Sequence, residues 1–192
     1  MIIQVCGTNG SGKTTAMRAV MAQLEEFGQL LVGGKQYGTI FHDPARTDPH
    51  GYVVMGRYGE AATGGCDRIS DVKSVRPEIR RQADNGFDVL FEGIRMTNPT
   101  DGAEFCARYV RDGGRYVVVL LKTPLEDCLA GIRARQLAAR GGERDVVVKE
   151  IAGNVTRNRN YAAKLADVGA RVIYSTREDA PAWVLKELRG QA

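Results

Sequence analysis

The sequence is poor in the residues that build metal sites and disulfide frames. Its four cysteines, Cys6, Cys66, Cys106 and Cys128, are scattered without a C-x-x-C pair, and its two histidines, His42 and His50, have no ligand spacing. Neither a zinc site nor a disulfide frame is indicated, so the cysteines read as small buried or incidental residues. No apolar run approaches the roughly 18 residues that a membrane span needs. The opening MIIQVCGTNG lacks the basic and long apolar regions of a signal peptide, so a cytoplasmic protein is expected. Excess charge is missing too: 27 Lys and Arg against 23 Asp and Glu leave a formal net charge of +4, too mild to identify a nucleic-acid binder alone. There is no internal repeat, low-complexity tract or linker, and 192 residues suit a single domain over 1–192.

What is present is one strong local motif. Residues 7–14 read GTNGSGKT, matching G-x-x-x-x-G-K-[ST] with Gly7, Gly12, Lys13 and Thr14. The motif needs a strand before it and a helix after it. Ile2, Ile3, Val5 and Cys6 supply a short buried parallel strand, and Ala16, Met17, Val20, Met21 and Leu24 recur with helical spacing up to a stop at Gly28. In such a P-loop, Gly7, Gly10 and Gly12 let the backbone turn its N–H groups toward phosphate, and the helix N-terminus adds partial positive charge. Thr8, Asn9, Ser11 and Thr15 complete the loop. Lys13 supplies a mobile ammonium to the β and γ phosphates, and the Thr14 hydroxyl is the expected Mg²⁺ ligand. ATP and Mg²⁺ are therefore the expected nucleotide and ion.

Strands alternate with helices beyond the loop, predicting an α/β three-layer P-loop fold with a five-stranded, mainly parallel sheet. The strands are Ile2–Cys6, Thr39–His42, Asp88–Glu92, Tyr116–Lys122 and Arg171–Tyr174. Asp101 with Glu104 resembles a capping box, and Thr123, Pro124 and Glu126 set up another helix start. A long helix is expected from about Asp145 to Asp167 and a last one around Trp183, Val184 and Leu188. The segment 43–71 is irregular and rich in Pro and Gly, which suits a functional loop, with YVVMGRY as an extra strand or hairpin arm within it.

The guanine-reading N-K-x-D motif is lacking, and the chain is short for a motor ATPase. Its length, strand count and Arg-rich stretch after the fourth strand resemble the P-loop nucleoside and nucleotide kinases. That resemblance implies a helical lid at about 133–159, closing on the phosphates, with Arg133 and Arg135 as the first lid arginines. Arg140, Arg144, Arg157 and Arg159 follow in sequence. Such cations would neutralise the transferring phosphoryl group; the alternative is a solvated helical face. Arginine predominates over lysine by 20 to 7, and guanidinium is the better fork for phosphate oxygens, although GC-rich coding would give the same bias.

Glu92 stands at the C-terminal end of a buried strand, the edge where open α/β sheets bind ligands. A carboxylate there can take a proton from an attacking hydroxyl or hold a metal-bound water, or it can serve as a cap or structural partner. Similar acids in deoxynucleoside kinases are followed by an arginine, as Arg95 follows here. Asp43 is a second candidate, expected on the same edge.

VMGRY paired with GGCD, the opening CGTNGSGKTT and the FEG strand end are similar to a group of bacteriophage P-loop kinases. Those enzymes phosphorylate the hydroxymethyl group of 5-hydroxymethyluracil in DNA, a step in thymidine hypermodification. The resemblance touches most of residues 1–95. It implies DNA containing a modified pyrimidine as partner and substrate, and host cytoplasm as the location. It also implies a substrate pocket with Arg57, Tyr58 and Asp67. Tyr58 could stack on a base, and Arg57 or Arg68 could hold a backbone phosphate; a packed loop with a salt bridge is the alternative. A kinase for free deoxynucleoside monophosphates and a non-catalytic ATP-binding switch remain as other readings.

Overall fold

The computed structural model describes residues 1–45, 51–59, 64–140 and 147–190, with backbone alone at 139 and 140. The described residues hold a seven-stranded sheet and six α-helices. In chain order these are β1 (Ile2–Cys6), α1 (Lys13–Met21), β2 (Glu25–Val32), β3 (Lys35–His42), β4 (Gly51–Met55), α2 (Val75–Asp84), β5 (Asp88–Glu92), α3 (Pro99–Arg111), β6 (Tyr116–Leu121), α4 (Leu125–Arg140), α5 (Val148–Asp167), β7 (Arg171–Ser175) and α6 (Ala180–Leu188). The sheet order is β2-β3-β4-β5-β1-β6-β7.

Five strands, β4, β5, β1, β6 and β7, run parallel, while β2 and β3 extend the sheet in antiparallel fashion. The sheet is therefore larger and more mixed than the expected five strands. The arm at YVVMGRY is β4, aligned with β5. The second addition, β2, occupies residues assigned to the end of the first helix. Gly28 does not terminate α1; it lies in β2 at a register shift between Glu26 and Gly28. The hairpin turn explains the difference. Gly33 and Gly34 have φ of 55° and 73°, and Val32 pairs directly with Lys35, a two-residue connection that fits only residues tolerant of positive φ at both positions.

Period-2 alternation sorts β1 between two cores. Ile2 and Cys6 face a cluster that includes Ile79, Cys106 and Leu165 of α2, α3 and α5. Ile3 and Val5 face Met17, Val20 and Val184 of α1 and α6. Every residue of β1 is buried, as a central parallel strand requires. Gln4 is the polar exception. Its Oε1 accepts the phenolic O–H of both Tyr116 and Tyr161 at 2.8 Å, tying α5 to the sheet centre. Gly102 in α3 makes room for that ring, since a Cβ there would lie 2.3 Å from Tyr161 Cε2.

The edge at the N-terminal ends of the parallel strands is stapled by ion pairs. The Met1 ammonium meets Asp88 at 2.6 Å, Arg115 and Arg171 both reach Glu187, and Arg189 meets Asp43 at 2.7 Å. Helix α3 starts at Asn98 rather than at Asp101. The Asn98 carboxamide accepts the N–H groups of Thr100 and Asp101, and Pro99 takes the first helical position, where no donor is needed. Among the described residues, no helix is long and apolar enough to cross a membrane.

Candidate active site

At the opposite edge, β1 and β5 end side by side. The register pairs Val5 with Glu92, so the strand that feeds the P-loop and the strand that ends in a carboxylate deliver their residues to one place. Gly10 and Gly12 have φ of 79° and 93°, the left-handed geometry that glycine adopts at little cost. Gly10 is required for a second reason. A Cβ there would lie 2.0 Å from the Cys128 carbonyl oxygen, because the start of α4 packs directly on the loop. Helix α1 begins at Lys13 with no side-chain cap and no acidic residue in its first turn, leaving its N–H groups open to an anion.

A cavity of about 470 Å³ opens over this loop. Asn9, Gly10, Gly12, Lys13, Thr14 and Thr15 form one wall, and Glu92, Asp67, Arg68 and Gly64 form the facing one. Gly131, Arg135 and Arg177 close a third side. Glu92 is 1% exposed and accepts the Thr14 hydroxyl at 2.8 Å. Lys13 donates one of its three N–H bonds to the Thr8 carbonyl at 2.9 Å. Burial pushes the Glu92 carboxyl above its ordinary range, with Lys13 and the Thr14 hydrogen bond opposing. Burial likewise lowers Lys13, with Glu92 opposing. Each group, when charged, makes the charge of the other more tolerable in a poorly solvated pocket.

The structure does not bring all the expected site residues here. Asp43 follows β3, which runs antiparallel to β4, so it emerges at the stapled edge and is held there by Arg189. Strand direction, invisible in the local sequence, reverses which end is functional. Arg133 is exposed and does not line the cavity, whereas Arg135 does. At 100° per residue, positions two apart on a helix point to different faces, and Arg135 instead shares the face of Gly131, four residues earlier.

Tyr58 is half-buried: its ring packs against the α1 and α6 core, and its hydroxyl is buried without a partner among the described residues. Arg57 is exposed; its backbone exchanges two hydrogen bonds with Gly65, both 3.2 Å. Asp67 accepts the N–H groups of Ile94 and Arg95 at 2.9 and 3.0 Å, which pins its own turn over the end of β5. Arg95 enters through that backbone contact. Thr123, expected as a cap, donates its hydroxyl to the Ser11 carbonyl and braces the P-loop. Residues 46–50, 60–63 and 141–146, with the side chain of Arg140, lie outside the described residues, so the roles expected for His50, Arg140 and Arg144 fall outside them too.

Arg177, Gly64 and Gly131 were not legible as site residues. Arg177 lies two residues beyond the end of β7 at the binding edge, a placement that the sheet rule could have flagged. Its side chain lies against Gly12, where a Cβ would come within 3.1 Å of it. Gly65, at φ 79°, sits on Glu92; a Cβ there would lie 2.4 Å from its Oε1.

Comparison with known proteins points to one family. The family model described as 5-hmdU DNA kinase matches residues 1–177. A 5-hmdU DNA kinase of Pseudomonas phage PaMx11 is 27% identical over 179 residues, covering 93% of this chain and 92% of the relative. One from Pseudomonas phage M6 is 32% identical over 140 residues, covering 69% and 71%. The 5-hmdU DNA kinase 1 of Salmonella phage ViI is 27% identical over 153 residues, covering 76% of this chain and 64% of the relative. With a match over nearly its whole length and a glycine-built anion loop facing a buried carboxylate, the chain belongs to the 5-hmdU DNA kinase family.

Proposed function

We propose that this protein transfers the γ-phosphoryl group of ATP to the hydroxymethyl oxygen of 5-hydroxymethyluracil in DNA. The observation that carries the reading is the shared cavity, in which the P-loop and the buried Glu92 carboxylate face one another. A carboxylate there accepts the proton of the acceptor hydroxyl as its oxygen bonds to the γ-phosphorus. The bond from that phosphorus to the bridging oxygen breaks, and ADP leaves.

The residues fit an ion as well as a nucleotide. Thr14 Oγ1 is a hard oxygen donor that would hold Mg²⁺, which would supply charge neutralisation at the phosphates, while Glu92 beside it is left to the proton. The two free N–H bonds of Lys13 and the guanidinium groups of Arg135 and Arg177 provide the remaining positive charge. The base must leave the helical stack to reach a site this recessed.

Incubation with γ-labelled ATP, against a panel of hydroxymethyluracil DNA, thymine DNA and free mononucleotides, tests the reading. Label is expected in the modified DNA alone, with binding that weakens as salt rises. Label in a free mononucleotide, with the modified DNA inert, would replace it with a monophosphate kinase. Absence of label in every acceptor, with ATP bound, would leave only a nucleotide-binding switch.

A further inference from the structure

A second cavity, of about 540 Å³, lies on the other side of the P-loop and shares no lining residue with the first. It is bounded by Gly7, Thr8 and Ser11, by the end of β6 and its exit at 122–124, and by one face of α5. On α5, Val155, Asn158, Arg159 and Ala163 recur at the spacing that puts them on one side of a helix.

Three atoms distinguish this space from a packing gap. Among the described residues, five buried side-chain polar atoms have no hydrogen-bond partner, and three belong to residues on this wall: Thr8 Oγ1, Ser11 Oγ and Asn158 Oδ1. Thr8, Ser11 and Asn158 are only 3%, 1% and 2% exposed. Native interiors rarely leave such atoms unpaired, and the exceptions call for an explanation. Asn158 is fixed in orientation, because its amide nitrogen already donates to the Asn154 carbonyl at 2.7 Å; its oxygen is left as an acceptor.

The chemistry of the wall selects the ligand. No Asp or Glu lines the cavity, which argues against a cation. A bare phosphate would set its oxygens against the Asn158 oxygen, so the inner end calls for a group with an N–H or O–H to give. Leu120, Leu121, Pro124 and Val155 supply apolar walls for a flat ring. At the mouth stand Arg159, Lys122 and the half-exposed ring of Tyr174, with the Lys122 ammonium 4.6 Å from that ring's centre. A cationic mouth and a hydrogen-bonding, apolar interior match a planar base carrying a phosphate.

We infer that this cavity is a second nucleotide-binding site, holding the base against Thr8, Ser11 and Asn158 and the phosphate at Lys122 and Arg159. Its occupant is either a free nucleotide or one nucleotide of the bound DNA strand. Either touches the Thr8 side chain, whose own carbonyl holds Lys13, so occupancy is mechanically linked to the P-loop.

The test is a binding measurement that needs no turnover and therefore stands whatever the acceptor proves to be. The P-loop is first saturated with Mg²⁺ and a non-hydrolysable ATP analogue. Labelled dTMP, dCMP, dAMP and dGMP are then titrated singly, as is an unmodified eight-nucleotide strand. At least one probe is expected to bind, and to lose tenfold or more in affinity in Val155→Trp, which plugs the cavity from a half-buried position, and in Asn158→Leu. The affinity for the ATP analogue should stay within about twofold. Binding of mononucleotides assigns a free-nucleotide site, and binding of the strand alone assigns a DNA subsite. Should no probe bind the loaded protein, or should Val155→Trp leave every affinity unchanged, the inference is wrong. Val155→Trp keeps the test decisive if Asn158→Leu does not fold.

Discussion

Replacing Glu92 by glutamine separates the chemistry of the site from its architecture. The amide keeps an oxygen where Thr14 Oγ1 donates at 2.8 Å, so the packed geometry persists while the charge is lost. If Glu92 accepts the acceptor's proton, the rate should fall by about 10² to 10⁴, equivalent to roughly 2.7 to 5.4 kcal/mol in the barrier. Stability should respond quite differently. Burial holds the Glu92 carboxyl above its ordinary value, so ionising it costs stability: what is present below the unfolded value, about 4.3, is lost as pH rises through the folded one. Glutamine escapes that loss. It also removes the charge that supports the buried Lys13 ammonium, which opposes the gain. With the two effects offsetting, Tm at pH 7 should move by no more than about 4 °C, the shift expected for roughly 1 kcal/mol in a chain this size. In the wild type, the acid limb of kcat/KM should sit above the ordinary glutamate range, and in Glu92→Gln that limb should vanish. A rate within tenfold of wild type, or a large fall in Tm accompanying the loss of rate, would refute the argument in favour of a capping role.

Lys13→Ala should lower phosphoryl transfer more than about a hundredfold, by removing one preorganised charge from the transition state, while circular dichroism remains native. Gly10→Ala should cost both stability and donor affinity, since its Cβ would collide with the Cys128 carbonyl oxygen at 2.0 Å and its φ of 79° disfavours any side chain; a lower Tm and weaker ATP binding by calorimetry check this. Asp43→Asn should leave kcat within about twofold yet destabilise by about 2 kcal/mol in urea, because it breaks the pair with Arg189 behind a carboxylate that is 1% exposed. Arg135→Ala should cut kcat about tenfold to a hundredfold, whereas Arg133→Ala should change it less than about threefold, as single-turnover assays will measure.

The features legible in the sequence were those fixed by a few adjacent residues. GTNGSGKT specified the loop, the helix after it and the roles open to Lys13 and Thr14, because phosphate binding there is a backbone property of consecutive positions. DVLFE announced its own strand and placed Glu92 at the binding edge. Some misreadings had a signal that a stronger competing pattern hid. The helical spacing through Leu24 outweighed the Gly33-Gly34 pair between two apolar runs, which is a hairpin turn, and Glu104 outweighed the simpler Asn98-Pro99 start. Others had no local signal at all. That β3 runs against the parallel strands, moving Asp43 to the far edge, follows from pairing between distant segments. Tyr58 is assigned to a substrate pocket by the resemblance, with a packed loop as the alternative, and no local pattern decides between them; its half-buried ring packs against the α1 and α6 core.

The two edges of the sheet divide the chain's charges by purpose, and the division explains how a protein of only modest net charge can handle highly charged ligands. Where the parallel strands begin, Asp88, Asp43 and Glu187 each meet a cation, and these pairs hold β1, β3, β6 and α6 together. Where the strands end, Lys13, Arg68, Arg135 and Arg177 gather around the cavity against two carboxylates, Asp67 and the deeply buried Glu92, leaving an excess of positive charge. In the first group three carboxylates face four cations, Glu187 taking two, so most of that charge is neutralised at close range and adds little to the field outside. Those of the second group act in a recess with low-dielectric walls, where a few charges generate a strong local potential even when the whole molecule is close to neutral. Net charge is thus a poor guide to phosphate binding in this fold, because the sum of +4 averages an edge built for stability with an edge built for anions.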